Sequence, residues 1–235
     1  MGSTWSAGVY FSTIIGLMWS AATATAAQVV APFPLEKGMR WVYEGKVEWT
    51  VVNSTRVLWT NVHWVMEVAD MMEGSSVRVS VIRGLPDELS WYEPGRIPES
   101  TVLVSITNHL YRIGVKSEQD GKKLARGLTD GSQKLPESAD EWLVFPMAKG
   151  KRWGGDLERE DCNYCWYVEA RKPENLRIQG YPAKPPADVW SLIYRTNPDH
   201  QIMNIVEGLG ITRYVYAHHG TVAAVDVRLI SFSHP

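Results

Sequence analysis

Basic residues are not in excess. There are 24 Lys and Arg against 26 Asp and Glu, for a formal charge of −2. Nucleic-acid binders present a basic face, so this balance argues against that class, and it gives no reason to invoke an anionic membrane surface. Phenylalanine is scarce at 4, beside 11 Trp and 10 Tyr. No long stretch carries a convincing 3.6-residue apolar period, which argues against a parallel βαβ architecture. None of the G-x-S-x-G, H-E-x-x-H, Walker or G-x-G-x-x-G patterns occurs. The expectation is a non-catalytic chain without a cofactor, with an unrecognised hydrolase using His or acidic residues as the outlying alternative.

Charge is also missing from the N-terminus. Between Trp5 and Ala27 there is none, and the first charged side chain is Glu36. Ile14 to Trp19 forms an apolar centre, and Ala24-Thr25-Ala26 fits the small-x-small rule for signal-peptide cleavage. Residues 1–26 are therefore read as an export signal cleaved near Ala26, which places the remainder in the periplasm or outside the cell. The alternative is an uncleaved N-terminal membrane anchor, since so long an uncharged stretch could just span a bilayer.

What the chain does have is period-two alternation. Met39, Trp41, Tyr43, Val47, Trp49 and Val51 occupy odd positions, with Arg40, Glu44, Lys46, Glu48 and Thr50 between them. That is the mark of a strand with one wet face. Leu58, Val62, Trp64, Met66 and Val68 form a second run and Val77, Val79 and Val81 a third. A fourth run takes in Val102, Val104, Ile106 and Leu110. Tyr164, Trp166 and Val168 follow, then Trp190, Leu192 and Tyr194. Ile211 to Ala217 and Val222 to Phe232 flank a hairpin signal at His219-Gly220. Residues 114–140 lack apolar period and read as a long loop or short helix, with capping-box spacing at Ser138 to Glu141.

There is also self-similarity. The segment Phe33-Pro34-Leu35-Glu36-Lys37-Gly38-Met39-Arg40-Trp41 matches Phe145 to Trp153 at six of nine positions with an offset of 112. Arg83-x-x-Pro86-Asp87 matches Arg195-x-x-Pro198-Asp199 at the same offset. The expectation is two related β units, 33–144 and 145–235, forming one compact domain. The alternative is similar turn chemistry before two unrelated strands.

Side chains with chemical potential are few. In an oxidising compartment, Cys162 and Cys165 are expected to form a structural disulfide rather than a redox or metal site. His218-His219 reads as a polar hairpin tip, because adjacent strand residues point to opposite faces. Asp156, Glu158, Glu160 and Asp161 read as a solvated loop, with calcium as the alternative. Asp87 and Asp199 read as turn residues after proline. No metal ligand set is assigned.

Phe33-Pro34-Leu35-x-x-Gly38-x-x-Trp41 and Tyr214-x-Tyr216-x-His218-His219-Gly220-Thr221 resemble segments of exported bacterial β-rich proteins that have no assigned activity. The long antiparallel strands are also similar in architecture to periplasmic half-barrel lipoprotein carriers. The whole reads as an all-β, antiparallel open barrel or sandwich. The leading functional expectation is a binding protein that holds an apolar or amphipathic, lipid-like ligand on an aromatic-rich face, with Trp49, Trp64, Trp91, Trp166 and Trp190 as candidate lining. The alternative is an interaction module of the cell envelope that binds another protein by strand addition near His218-His219.

Overall fold

The computed structural model describes residues 32–51, 54–155, 157, 162–182, 186–196, 200–218 and 222–235. The expected export signal, the acidic residues Asp156, Glu158, Glu160 and Asp161, the pair Pro198-Asp199 and the tip His219-Gly220-Thr221 lie outside the described residues.

Twelve strands form one antiparallel sheet. They are β1 (Arg40–Thr50), β2 (Val57–Glu73), β3 (Arg78–Arg83), β4 (Ser100–Ile106), β5 (His109–Gly114), β6 (Asp140–Val144), β7 (Arg152–Trp153), β8 (Cys165–Glu174), β9 (Ala187–Arg195), β10 (His200–Val206), β11 (Gly210–Ala217) and β12 (Val222–Ser233). Their order is β6-β5-β4-β3-β2-β1-β12-β11-β10-β9-β8-β7. Every neighbour in sequence is a neighbour in the sheet except β6 and β7. The first and last strands instead pair along ten residues, from Arg40 with Ser233 to Trp49 with Val222. The sheet thus curls into a nearly closed barrel with one unsealed seam, between β6 and β7.

The alternation of β1 sets the inside of the barrel. Trp41, Tyr43 and Val47 are fully buried, and Trp64, Met66 and Val68 of β2 join them. Trp142, Trp166, Leu192, Met203, Tyr214 and Val227 continue the same cluster around the ring. Large apolar side chains buried like this each stabilise by about 1.5–3 kcal/mol. Between β3 and β4 a 3₁₀ turn, Pro86–Trp91, dips into this core and contacts β11 and β12 on the far side. Leu85 and Leu89 fill space there, and Ser90 Oγ lies 2.6 Å from the Tyr214 hydroxyl. The interior is therefore packed with side chains.

The expected fourth run is two strands. Thr107, with φ of +50°, turns β4 into β5 before Leu110 is reached. The 114–140 region holds a helix, α1 (Glu118–Thr129). Its N-cap is Ser117, whose Oγ accepts a bond from the Asp120 amide at 3.1 Å. The Ser138 to Glu141 spacing starts no helix, because Ser138 lies in a turn and the chain enters β6 at Asp140. Gly121, Ala125 and Leu128 seat α1 on the outer face of the sheet. That face presents Val79, Val81, Val102 and Val104, so β3 and β4 are buried on both sides.

Candidate functional site

The seam follows from local sequence. β7 is two residues long because Gly154 and Gly155 both adopt left-handed conformations, φ +72° and +55°, which end a strand at once. A Cβ at Gly155 would lie 2.6 Å from the Tyr164 carbonyl oxygen, so no other residue fits. The lead-in to β7 is built like the lead-in to β1. The Met39 amide donates to the Glu36 carbonyl at 3.1 Å, and the Lys151 amide donates to Ala148 at 2.9 Å. The Gly38 amide donates to Val68 and the Val68 amide to Met39; Gly150, Val168 and Lys151 repeat the pattern. After these matched turns β1 runs on beside β12, whereas β7 stops.

Side chains bridge the gap that the ladder leaves. The Trp153 indole Nε1 donates to the Trp142 carbonyl at 3.3 Å, and Lys151 Nζ donates to the carbonyls of Val144 at 3.1 Å and Pro146 at 3.0 Å. The Phe145 amide bonds to Asn108 beyond the end of β5, so Val144 next to it turns its backbone to the seam, and Trp142 sits at the register shift of the β5–β6 pairing. In a strand the N–H and C=O of one residue point the same way. The amide of Val144 therefore faces the seam as well, where no strand among the described residues pairs with it. Burial holds the Lys151 ammonium below its usual range, with Glu141 opposing.

Arg112 of β5 lies on the inner side beside this edge. It donates to Asp87 and, at 2.7 Å, to Asp140, and its guanidinium sits 5.9 Å from the centre of the Trp142 ring. Burial works against the charge of Arg112, and the two carboxylates more than offset it. On the β7 side an aromatic row follows. Trp153 stacks on Trp166 at 6.4 Å, and Trp166 meets Tyr194 at 5.0 Å. Burial raises the Tyr194 hydroxyl above its ordinary value, and burial carries Tyr214 higher still. The seam thus combines an ion cluster of one guanidinium between two carboxylates, a row of aromatics and an unladdered strand edge.

The five tryptophans singled out from the sequence are placed unequally. Trp64, Trp166 and Trp190 lie in the same buried core, with the Trp64 indole donating to the Gly84 carbonyl at 2.9 Å. Trp49 is half-buried against Tyr92, ring centres 5.3 Å apart. Trp91 is 73% exposed. Cys162 and Cys165 are joined by a disulfide, as expected. His218 packs on Tyr216 at 5.7 Å. Asp87 is more than a turn residue, since it holds Arg112. Arg112, Asp140, Trp142, Lys151 and Trp153 were not legible as a site. The one signal was Lys151, which stands where the 112-residue offset between the two similar segments places Met39.

No family model and no curated protein matches the chain. Two solved structures are similar to it. One is a presumed exported protein with a YmcC-like fold from Bacteroides fragilis NCTC 9343, at 9% identity and a TM-score of 0.42, covering 87% of this chain and 100% of that one. The other is a presumed lipoprotein from Parabacteroides distasonis ATCC 8503, at 10% identity and a TM-score of 0.41, covering 88% and 100%. Likenesses this distant assign no function.

Proposed function

We propose that this chain is an exported, non-catalytic binding protein that takes up an extended segment of an envelope partner along the β6 edge of the seam. The observation that carries the reading is the Trp142–Val144 edge. Its backbone faces a gap, and its carbonyls are held by two side-chain donors in place of a strand. An incoming strand can replace such donors bond for bond, which is the basis of recognition by strand addition. Edge strands left open in this way are ordinarily protected, and here the protection is detachable. The filled interior favours an occupant at the edge, because a ligand inside the barrel would have to displace fully buried side chains such as Trp41 and Tyr43. The exported address rests on the uncharged stretch from Trp5 to Ala27 and on the Cys162–Cys165 disulfide, which suits an oxidising compartment.

A second reading, an apolar or amphipathic ligand, is favoured by the half-buried Trp49–Tyr92 pair at the margin of the core. The two separate in one experiment. A photoreactive amino acid is placed at Ser138 or Lys149, which flank the seam and are exposed, and at Trp59 on β2 as a control. The strand-addition reading predicts crosslinks from the first two positions, and not from Trp59, to one contiguous segment of a single envelope protein. A purified native mass that exceeds the chain by a small molecule, with no such crosslink, would overturn it in favour of the second reading.

A further inference from the structure

On the outer face of the barrel, far from the seam in the strand order, the register brings like charges together. Arg213 of β11 is directly opposite Arg228 of β12. Asn204 flanks the pair on one side and Glu44 on the other. Cross-strand partners lie about 4.5–5.5 Å apart at Cβ, where like charges destabilise a sheet. Arg213 is neutralised through two bonds to Asp226, at 2.9 and 2.6 Å. Arg228 makes no ion pair among the described residues, although its register partner Glu44 is a carboxylate; Glu44 bonds to His63 instead, at 3.3 Å.

The segment that follows β8 roofs this pair. It carries Arg177, which likewise has no ion pair among the described residues, and it is fastened to β12. The Gln179 amide donates to the Ile230 carbonyl at 2.9 Å, and the Phe232 amide donates back to Gln179 at 2.8 Å. Gly180, at φ +80°, allows the approach, since a Cβ there would fall 1.9 Å from the Phe232 carbonyl oxygen. Ile178 is buried and anchors the same segment. Between roof and sheet is a cavity of about 500 Å³ lined by Arg177, Arg213, Arg228, Glu174, Asn204 and Thr212. Its lining carries three guanidinium ions against the one carboxylate of Glu174, and Asp226, which does not line it, pairs with Arg213.

We propose that this cavity binds a phosphate group, with Arg228 and Arg177 as the principal donors and Arg213, already oriented by Asp226, in support. Guanidinium forks match oxyanions in bidentate geometry. A tetrahedral phosphate spreads its acceptor oxygens in three dimensions, so it can accept from two forks that approach from different sides. Its charge would also relieve the Arg213–Arg228 opposition. The group could come from free phosphate or from a phospholipid headgroup. The proposal is independent of the seam, and its failure would leave the strand-addition reading untouched.

The test titrates the mature chain with inorganic phosphate by calorimetry, beside co-sedimentation with phosphatidylcholine vesicles with and without phosphatidylglycerol. The variants are Arg228→Gln, Arg177→Gln and, as a surface control, Lys172→Gln. Saturable phosphate binding weakened about tenfold or more by either arginine change, and unaffected by Lys172→Gln, is expected. Binding confined to phosphatidylglycerol vesicles, with the same arginine dependence, would assign the headgroup as the source. Absence of both, or affinities unchanged in Arg228→Gln protein of native circular dichroism, would overturn the proposal.

Discussion

Glu88 makes stability pH-dependent in a direction that can be worked out. Its carboxylate is nearly buried in the 3₁₀ turn, where one oxygen accepts from the Leu85 amide at 3.0 Å and the other from the Glu99 amide at 2.8 Å. Burial nonetheless dominates and pushes its pKa from 4.5 up to about 7, with neighbouring Asp87 and Glu99 adding to the rise. A carboxyl whose folded pKa is raised binds its proton more tightly when folded. Its contribution is fully present below pH 4.5, declines as pH rises, and is gone above about pH 7. At 1.36 kcal/mol per pKa unit the swing is about 3 kcal/mol, which for a chain of this size is roughly 2–4 °C of midpoint per kcal/mol. Thermal denaturation of wild type and Glu88→Gln at intervals from pH 5 to 8 measures it. The wild type should lose stability across that window and the variant should be nearly flat. Equal slopes in the two proteins would refute the reasoning.

Two further comparisons probe the packing. Trp41 donates to the Leu209 carbonyl at 2.7 Å, deep in the core, whereas Trp153 donates across the seam at 3.3 Å. Trp41→Phe should therefore cost about 2–4 kcal/mol in urea denaturation and Trp153→Phe less, because both leave a buried carbonyl without its donor but the bond lost at Trp153 is the longer and weaker one. Gly180→Ala should destabilise by more than Gly131→Ala in the same assay. Both have positive φ, costing about 1–2 kcal/mol for a side chain, but a Cβ at Gly131 meets nothing within 4 Å. Tyr214→Phe should cost about 1 kcal/mol through loss of the Ser90 hydroxyl contact, read from the same denaturation curves.

Much of the barrel is written locally. Odd residues of β1 and even residues of β2 alternate, and each alternation set has one face in the core. Strands β3 and β4 alternate less simply, because Val79, Val81, Val102 and Val104 face a helix instead of the barrel interior. That helix was hidden because its contact face has only Leu128 as a large buried side chain, beside the small Gly121 and Ala125, while the rest of its sequence is strongly polar. β6 was obscured by the polar residues ahead of it, and its two neighbours in space, β5 and the seam, are set by pairing at long range. The candidate site was harder still. Arg112, Asp87 and Asp140 come from three separate segments, and no spacing rule joins them. The abundance of tryptophan was readable, but whether each ring lines a surface or fills the core depends on which way the closed sheet turns it.

The central claim is that β6 carries an edge closed only by side chains. Amide hydrogen exchange measured residue by residue tests it directly. The amide of Val144 should exchange through low-energy local opening, while those of Val47 and Val225 within the β1–β12 junction exchange only on global unfolding. Equal protection at both places would mean that the seam is sealed and would contradict the account.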